Sequence, residues 1–221
     1  MTETTARPVS PLLLFEAALM GAPVTAVHLT HAVPVDVAAW TAEQDAVDEA
    51  IVGLCEGPVL DVGCGPGRFA AALAKRGVPA LGIDVSRAAV RRARARGALA
   101  LRRAVEGPLP GEGRWGTVLL ADGNIGIGGD PRSLLKRCRD LARPGGLILV
   151  EADPDPATDA SGPLVLHAED GRRSRPIPWA RAGVYTLRSV ASELALTVAQ
   201  EWELGGRVMM LLRTPTTVAL R

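Results

Sequence analysis

Aromatic side chains are scarce in this chain of 221 residues: four Trp, two Phe and one Tyr, 3% of the whole. A surface that stacks nucleobases needs more of them, so a nucleic-acid partner is not expected. Lysine is rarer still. Lys75 and Lys136 are the only two among 25 basic residues, the rest being arginine, a bias read as codon usage before function. With 24 acidic residues opposing them, the net charge of +1 creates no global field toward nucleic acid or an anionic membrane. The cysteines, Cys55, Cys64 and Cys138, are odd in number and widely spaced, which fits reduced thiols better than a disulfide framework or a zinc site. Long apolar runs are missing too. Leu12 to Phe15 and Ala17 to Met20, separated by Glu16, are far too short for a membrane span, and no basic segment with a cleavage site precedes them. The expectation is a cytoplasmic protein without a membrane partner.

What is present is apolar material, 48% of residues, enough for one domain to bury a sizeable core without a staple. Between residues 58 and 151, short apolar runs alternate with alanine-rich helical stretches, the pattern of parallel strands joined by crossover helices. Val59 to Val62 reads as a first strand and Arg68 to Arg76, stopped by Gly77, as the helix behind it. Ala80 to Ile83 is a second strand ending at Asp84. Ser86 caps an arginine-rich helix that stops at Gly97, and Ala98 to Arg102 and Thr117 to Ala121 read as third and fourth strands. Asp130-Pro131 opens a helix to about Ala142, and Pro144-Gly145-Gly146 turns into a fifth strand, Leu147 to Val150. A Pro/Asp-rich stretch with a hairpin around Glu169-Asp170-Gly171 follows. Leu187 to Leu196 reads as helix, and Thr197 to Leu204 and Arg207 to Arg213 as strands joined at Gly205-Gly206.

The strongest chemical signal is Asp61-Val62-Gly63-Cys64-Gly65-Pro66-Gly67, where a strand runs into a glycine loop and then a helix. Glycines let backbone approach a ligand closely, and the helix N-terminus offers unpaired N–H groups, so this is a nucleotide-type pocket at the carboxyl end of a parallel sheet. A dinucleotide fingerprint needs glycine at the sixth loop position, which here is Arg68. The Gly-Lys-Ser/Thr ending of a phosphate-binding loop is absent as well.

With its Asp61-x-Gly63-x-Gly65-x-Gly67 run, its Asp84 closing the second strand and its Leu141-Ala142-Arg143-Pro144-Gly145-Gly146 turn, the chain resembles the class I S-adenosylmethionine-dependent methyltransferases. The resemblance covers roughly residues 55 to 151. It implies an α/β, Rossmann-like three-layer sandwich with a mostly parallel seven-stranded sheet and an antiparallel C-terminal strand. It also implies S-adenosyl-L-methionine as cofactor and S-adenosyl-L-homocysteine as product. The cofactor site would comprise Asp61, Gly63, Cys64, Gly65 and Gly67 of the loop, Asp84 and Val85 after the second strand, Val105 after the third, and Asp122 and Gly123 after the fourth. Asp84 would accept from both ribose hydroxyls. Where many members place an acidic residue near the adenine amino group, this chain has Ala104-Val105-Glu106, leaving that contact to a backbone group or Glu106.

Asp122 and Asn124, leaving the fourth strand, are the polar groups expected near the methyl group or the acceptor, against the alternative of a turn bonding its own backbone. A general base would come from His28, His31 or His167, with His31 the candidate carried forward. His28 and His31 on one face of a helical turn lack a third ligand, so no metal is expected. Trp40 and Trp179 wall the pocket or simply pack. Arg87, Arg91 and Arg94, with Arg92, Arg96, Arg102 and Arg103, are expected to form a solvated basic helix face.

Residues 1–50 are expected to form an N-terminal helical cap or substrate segment and 51–221 the class I methyltransferase domain, with a substrate-side insertion at about 152–183. The expected reaction is methyl transfer to an O, N or C nucleophile of a small, partly apolar molecule, which asks mainly for alignment and desolvation. The alternatives are a protein that binds S-adenosylmethionine for a reaction other than methyl transfer, and a nicotinamide-dependent oxidoreductase. Monomer and homodimer both fit the sequence.

Overall fold

The computed structural model describes residues 7–216. Along that chain run α1 (Pro11–Leu19), β1 (Val24–His28), β2 (His31–Pro34), α2 (Val37–Thr41), α3 (Ala46–Gly53), β3 (Val59–Val62), α4 (Arg68–Lys75), β4 (Ala80–Asp84), α5 (Arg87–Ala95) and β5 (Ala100–Arg102). They are followed by β6 (Trp115–Leu120), α6 (Pro131–Leu141), β7 (Ala142–Ala152), β8 (Asp159–Ala168), β9 (Ile177–Ala182), α7 (Val184–Glu193), β10 (Thr197–Leu204) and β11 (Arg207–Arg213). The main sheet has the order β10-β11-β7-β6-β3-β4-β5. Strands β3 to β7 in it pair in parallel, and β11 pairs antiparallel with both β7 and β10. This is the seven-stranded α/β fold that the sequence implies.

Near-continuous apolar strands are what a sheet covered on both faces requires. Alternate side chains of β7 make the division visible: Leu147 and Leu149 pack with Ile51, Phe69 and Leu73 of α3 and α4, while Ile148 and Val150 pack with Leu135 of α6 and Leu187 of α7. Each fully buried Leu or Ile contributes about 1.5–3 kcal/mol. The helix boundaries follow local chemistry. Asp130 accepts from the N–H groups of Arg132 and Ser133 ahead of Pro131, Ser86 accepts from Ala89 N–H, and Gly77 and Gly97 turn the chain left-handed after α4 and α5.

Four elements depart from expectation. Strand β7 starts at Ala142, so the Pro144-Gly145-Gly146 segment lies inside a strand, accommodated by a register shift against β6 between Trp115 and Thr117. Helix α7 begins at Val184, where Gly183 releases the chain from β9, and ends at Glu193. The third strand is shorter, starting at Ala100. The N-terminal segment is not simply helical: between α1 and α2 it makes the β1–β2 hairpin, so His28 and His31 face each other across a strand pair instead of sharing a helical turn. Strand β1 is stabilised from far away, pairing antiparallel with β8 from Val24↔Ala168 to His28↔Leu164. The hairpin expected around Glu169-Asp170-Gly171 is present as β8–β9, with those residues in its turn region.

The two outlying hairpins thus merge into a second sheet, β2-β1-β8-β9, covered by α1 through Leu14, Ala18, Val24 and Leu166. It is fastened to the main fold along α5 and at the turn after β6. Glu16 of α1 accepts from Ser86 Oγ at 3.0 Å and Ala88 N–H at 3.1 Å at the start of α5. At the other end of α5, Arg96 donates to the carbonyls of Trp40, Thr41 and Ala42, and Arg92 donates to Met20 Sδ, so part of the arginine-rich helix is an anchor rather than a solvated face.

The second fastening is Gly126, in a 3-10 turn (Asn124–Gly126) after β6, where a Cβ would lie 2.3 Å from Ala180 O and 2.5 Å from Trp179 Nε1. Gly126→Ala is expected to wedge β9 off this turn and lower stability by roughly 1–3 kcal/mol. Urea unfolding checks this, and an unchanged midpoint would show that β9 yields freely.

Candidate functional site

A cavity of 630 Å³ lies between the carboxyl ends of β3, β4 and β6 and the second sheet. Its size is that of a small-molecule site. On the main-sheet side it is lined by Asp61 to Pro66, Ile83 to Val85, Arg103 to Glu106, Ala121, Asp122 and Asn124.

The three loop glycines have different jobs. All have positive φ, but a Cβ on Gly63 would strike the Asn124 amide at 2.8 Å, and one on Gly67 would strike Ala93 of α5 at 2.7 Å. Only at Gly65 would a Cβ meet open space, so Gly65 is where backbone is bare toward the cavity. Cys64 turns its thiol into the core against Gly82 and Ala70, where burial pushes its pKa up, leaving only its backbone for a ligand.

Asp61 and Asp84 give the cavity its charge. Asp61 is 2% exposed, and its Oδ2 is buried with no hydrogen-bond partner. Burial pushes its pKa up to about 7, and the nearby carboxylates of Asp122 and Asp84 push in the same direction. Asp84 accepts from Gly65 N–H at 3.0 Å through Oδ2 and from Ser86 N–H at 2.7 Å through Oδ1. Its pKa is raised by burial, against the opposing pull of those N–H groups. Each oxygen retains a lone pair for a further donor. Val105 is buried on the cavity wall, its carbonyl accepting from Arg137 Nε at 2.9 Å, and Val85 lies exposed at the rim.

Asp122 and Asn124 both line the cavity, and each also has partners within the protein. Asp122 Oδ1 accepts from Arg68 at 2.6 Å and Arg207 at 3.0 Å, and the Asp122 N–H donates to Glu151 Oε2 at 2.6 Å. A carboxylate shared by two guanidinium groups is a structural anchor, here holding a residue at a left-handed φ of 54°. Asn124 donates both amide protons, to Val62 O at 2.9 Å and Gly63 O at 3.0 Å, and so fastens the glycine loop to the end of β6. Gly123 takes a left-handed φ of 77° and does not line the cavity.

His31 is exposed on β2 outside the cavity. His28 is buried and hydrogen-bonded through Nε2 to Trp179 O, and His167 lies on β8 away from the cavity. The expected general base is therefore not in place: His28 and His31 lie at the turn end of the β1–β2 hairpin, beyond Ala26 and Val33, which do line the cavity. Trp40 and Trp179 do line the cavity, on the side of the second sheet. Among the described residues, no group of His, Cys, Asp and Glu is arranged to hold a metal ion, and no helix is long and apolar enough to cross a membrane.

A network that sequence reasoning missed stands beside the loop. Asp48 of α3, 1% exposed, accepts from Arg68 at 2.5 Å and Arg207 at 2.9 Å, and Glu151 accepts from Arg207 at 2.5 Å. The Phe69 ring lies under both guanidinium groups, 4.6 Å from that of Arg68 and 5.7 Å from that of Arg207. Arg68 is visible in the loop motif, but its partners are up to 159 positions from one another and share no spacing that a sequence displays.

The parallel sheet with its antiparallel β11 has the fold of the class I methyltransferases, and residues 59–146, under half of the chain, match the family model described as a methyltransferase domain. Among sequence relatives, the ubiquinone biosynthesis O-methyltransferase of Acinetobacter baylyi is 34% identical over 110 residues, 46% of each chain. The chain thus matches about half the length of such curated relatives. Among solved structures, a SAM-dependent methyltransferase from Bacteroides fragilis, in complex with S-adenosyl-L-homocysteine, superimposes with a TM-score of 0.72 at 19% identity over 87% of this chain and 88% of that one. The 1,6-didemethyltoxoflavin-N1-methyltransferase of Burkholderia thailandensis superimposes with a TM-score of 0.57 at 17% identity over 80% and 81%. At these identities, both establish the likeness of fold.

Proposed function

We propose that the protein transfers a methyl group from S-adenosyl-L-methionine to an O, N or C nucleophile of a small molecule. The observation that carries this reading is the pairing of Asp84 with the bare Gly65 on a cavity that the unpartnered Asp61 Oδ2 also lines. A ribose diol matches the lone pairs left on Asp84, and an ammonium group is the natural partner for a buried, orphaned carboxylate. Val85 and Val105 offer apolar flanks for the adenine ring, with a main-chain group or Glu106 serving its amino group. The cofactor, when bound, supplies a methyl group already activated by a positive sulfur.

The chain's own residues then bind, align and exclude water. Asn124 holds the loop against β6, Asp122 keeps the end of that strand in its strained conformation, and the second sheet closes the chamber. Calorimetry with S-adenosylhomocysteine and with NADH tests the reading: the first ligand is expected to bind and the second not. NADH binding alone would replace methyl transfer by nicotinamide chemistry on the same loop.

A further inference from the structure

The two walls of the cavity differ in chemistry. The main-sheet side carries Asp61, Arg68, Asp84, Arg103, Glu106 and Asp122. The opposite roof, from α1, β2, α2, β8 and β9, presents Leu12, Phe15, Val35, Trp40, Leu164 and Trp179, together with other aliphatic residues and prolines. Among the described residues its one charged group is Asp36, and that carboxylate is engaged as the cap of α2, accepting from Ala39 N–H at 2.9 Å. Among the described residues, no histidine or lysine lines the cavity anywhere.

We propose that the acceptor is an uncharged, largely apolar, ring-bearing small molecule, bound by this roof through burial and aromatic contact rather than by ion pairing. The inference rests on the methyltransferase reading, which assigns the polar wall to the cofactor. An ionised acceptor entering the roof would lose its hydration and find no opposite charge there, whereas apolar surface gains from the transfer. The ring preference follows from Phe15 and Trp40, whose centroids lie 5.7 Å apart at 39°, a tilted pair that leaves aromatic surface for a further ring, and from Trp179. The cavity of 630 Å³ must also house the cofactor, which keeps the buried part of the acceptor small.

The test uses 2-naphthol and 2-naphthoate, one ring system without and with a charge, titrated by calorimetry at neutral pH into the full chain, with and without saturating S-adenosylhomocysteine. Naphthol is expected to bind at least about tenfold tighter than naphthoate. Trp40→Ala, which removes aromatic surface, and Leu12→Glu, which places a charge on the roof at a residue outside the packed clusters, are each expected to weaken naphthol about tenfold or more. Both should leave S-adenosylhomocysteine affinity within about threefold, which also shows that they fold. Naphthoate binding as well as naphthol, or naphthol binding that neither variant changes, overturns the proposal. If S-adenosylhomocysteine fails to bind, the cofactor reading falls, and the naphthol-to-naphthoate ratio on the unliganded protein still decides the character of the roof.

Discussion

Asp84→Ala is expected to weaken S-adenosylhomocysteine binding by roughly 100- to 10,000-fold, because it removes the two proposed ribose hydrogen bonds to a charged acceptor, each worth about 1.5–3 kcal/mol. The loss is sharpened by the geometry of β4's end. The same carboxylate accepts from Gly65 and Ser86 N–H groups, so its removal also frees the one loop position that is bare toward the cavity. Asp84→Asn, which keeps an acceptor oxygen but not the charge, should fall between the two. Calorimetry reads the affinities, and circular dichroism confirms that the variants fold. An alanine variant that binds like the parent would place the ribose elsewhere.

The second large effect concerns stability. Burial holds the folded pKa of Asp61 at about 7, whereas the unperturbed value is 3.8. Between those values the folded protein retains a proton that the unfolded chain has released. The contribution is fully present below the unfolded pKa and is lost as pH rises through the folded one. Over that interval the loss reaches about 4 kcal/mol as an upper bound, at about 1.4 kcal/mol per unit. Asp61→Asn, which cannot ionise, should therefore unfold at higher urea than the parent near pH 8 and lose its advantage near pH 4. The same variant should bind S-adenosylhomocysteine more weakly, because the carboxylate proposed to meet the ammonium is gone. In the parent, binding near pH 6 should release a proton, seen as a calorimetric heat that changes with the ionisation enthalpy of the buffer. Identical pH profiles for parent and variant would refute the assignment.

Much of this was legible in the chain itself. The alternation of strands and helices, the capping residues Ser86 and Asp130, the acid at the end of β4 and the Gly205-Gly206 hairpin are all local signals, each set by a few neighbouring residues. What escaped is non-local. The equal spacing of Gly63, Gly65 and Gly67 hides three different surroundings, since the Asn124 amide, open space and the Ala93 backbone all reach the loop from elsewhere. The polar residues Asp122 and Asn124 read as chemistry because Arg207 and the Val62 carbonyl, which occupy them, have no positional relation to them in sequence. The strand character of residues 24 to 28 depends on a partner some 140 positions downstream, Val24 pairing with Ala168, so periodicity near the N-terminus could not reveal it.

The joint between β1 and β8 also constrains how this scaffold can acquire new substrates. The proposed acceptor wall is assembled from two stretches of chain that lie on either side of the glycine loop and the acid-ended strand, and five paired positions stitch them into one sheet. Transplanting either stretch alone from another enzyme would leave a strand edge without its mate and Trp179 without the hairpin that holds its carbonyl through His28. On the proposed reading, the determinants of specificity therefore form a two-part unit, exchangeable only when both parts travel together.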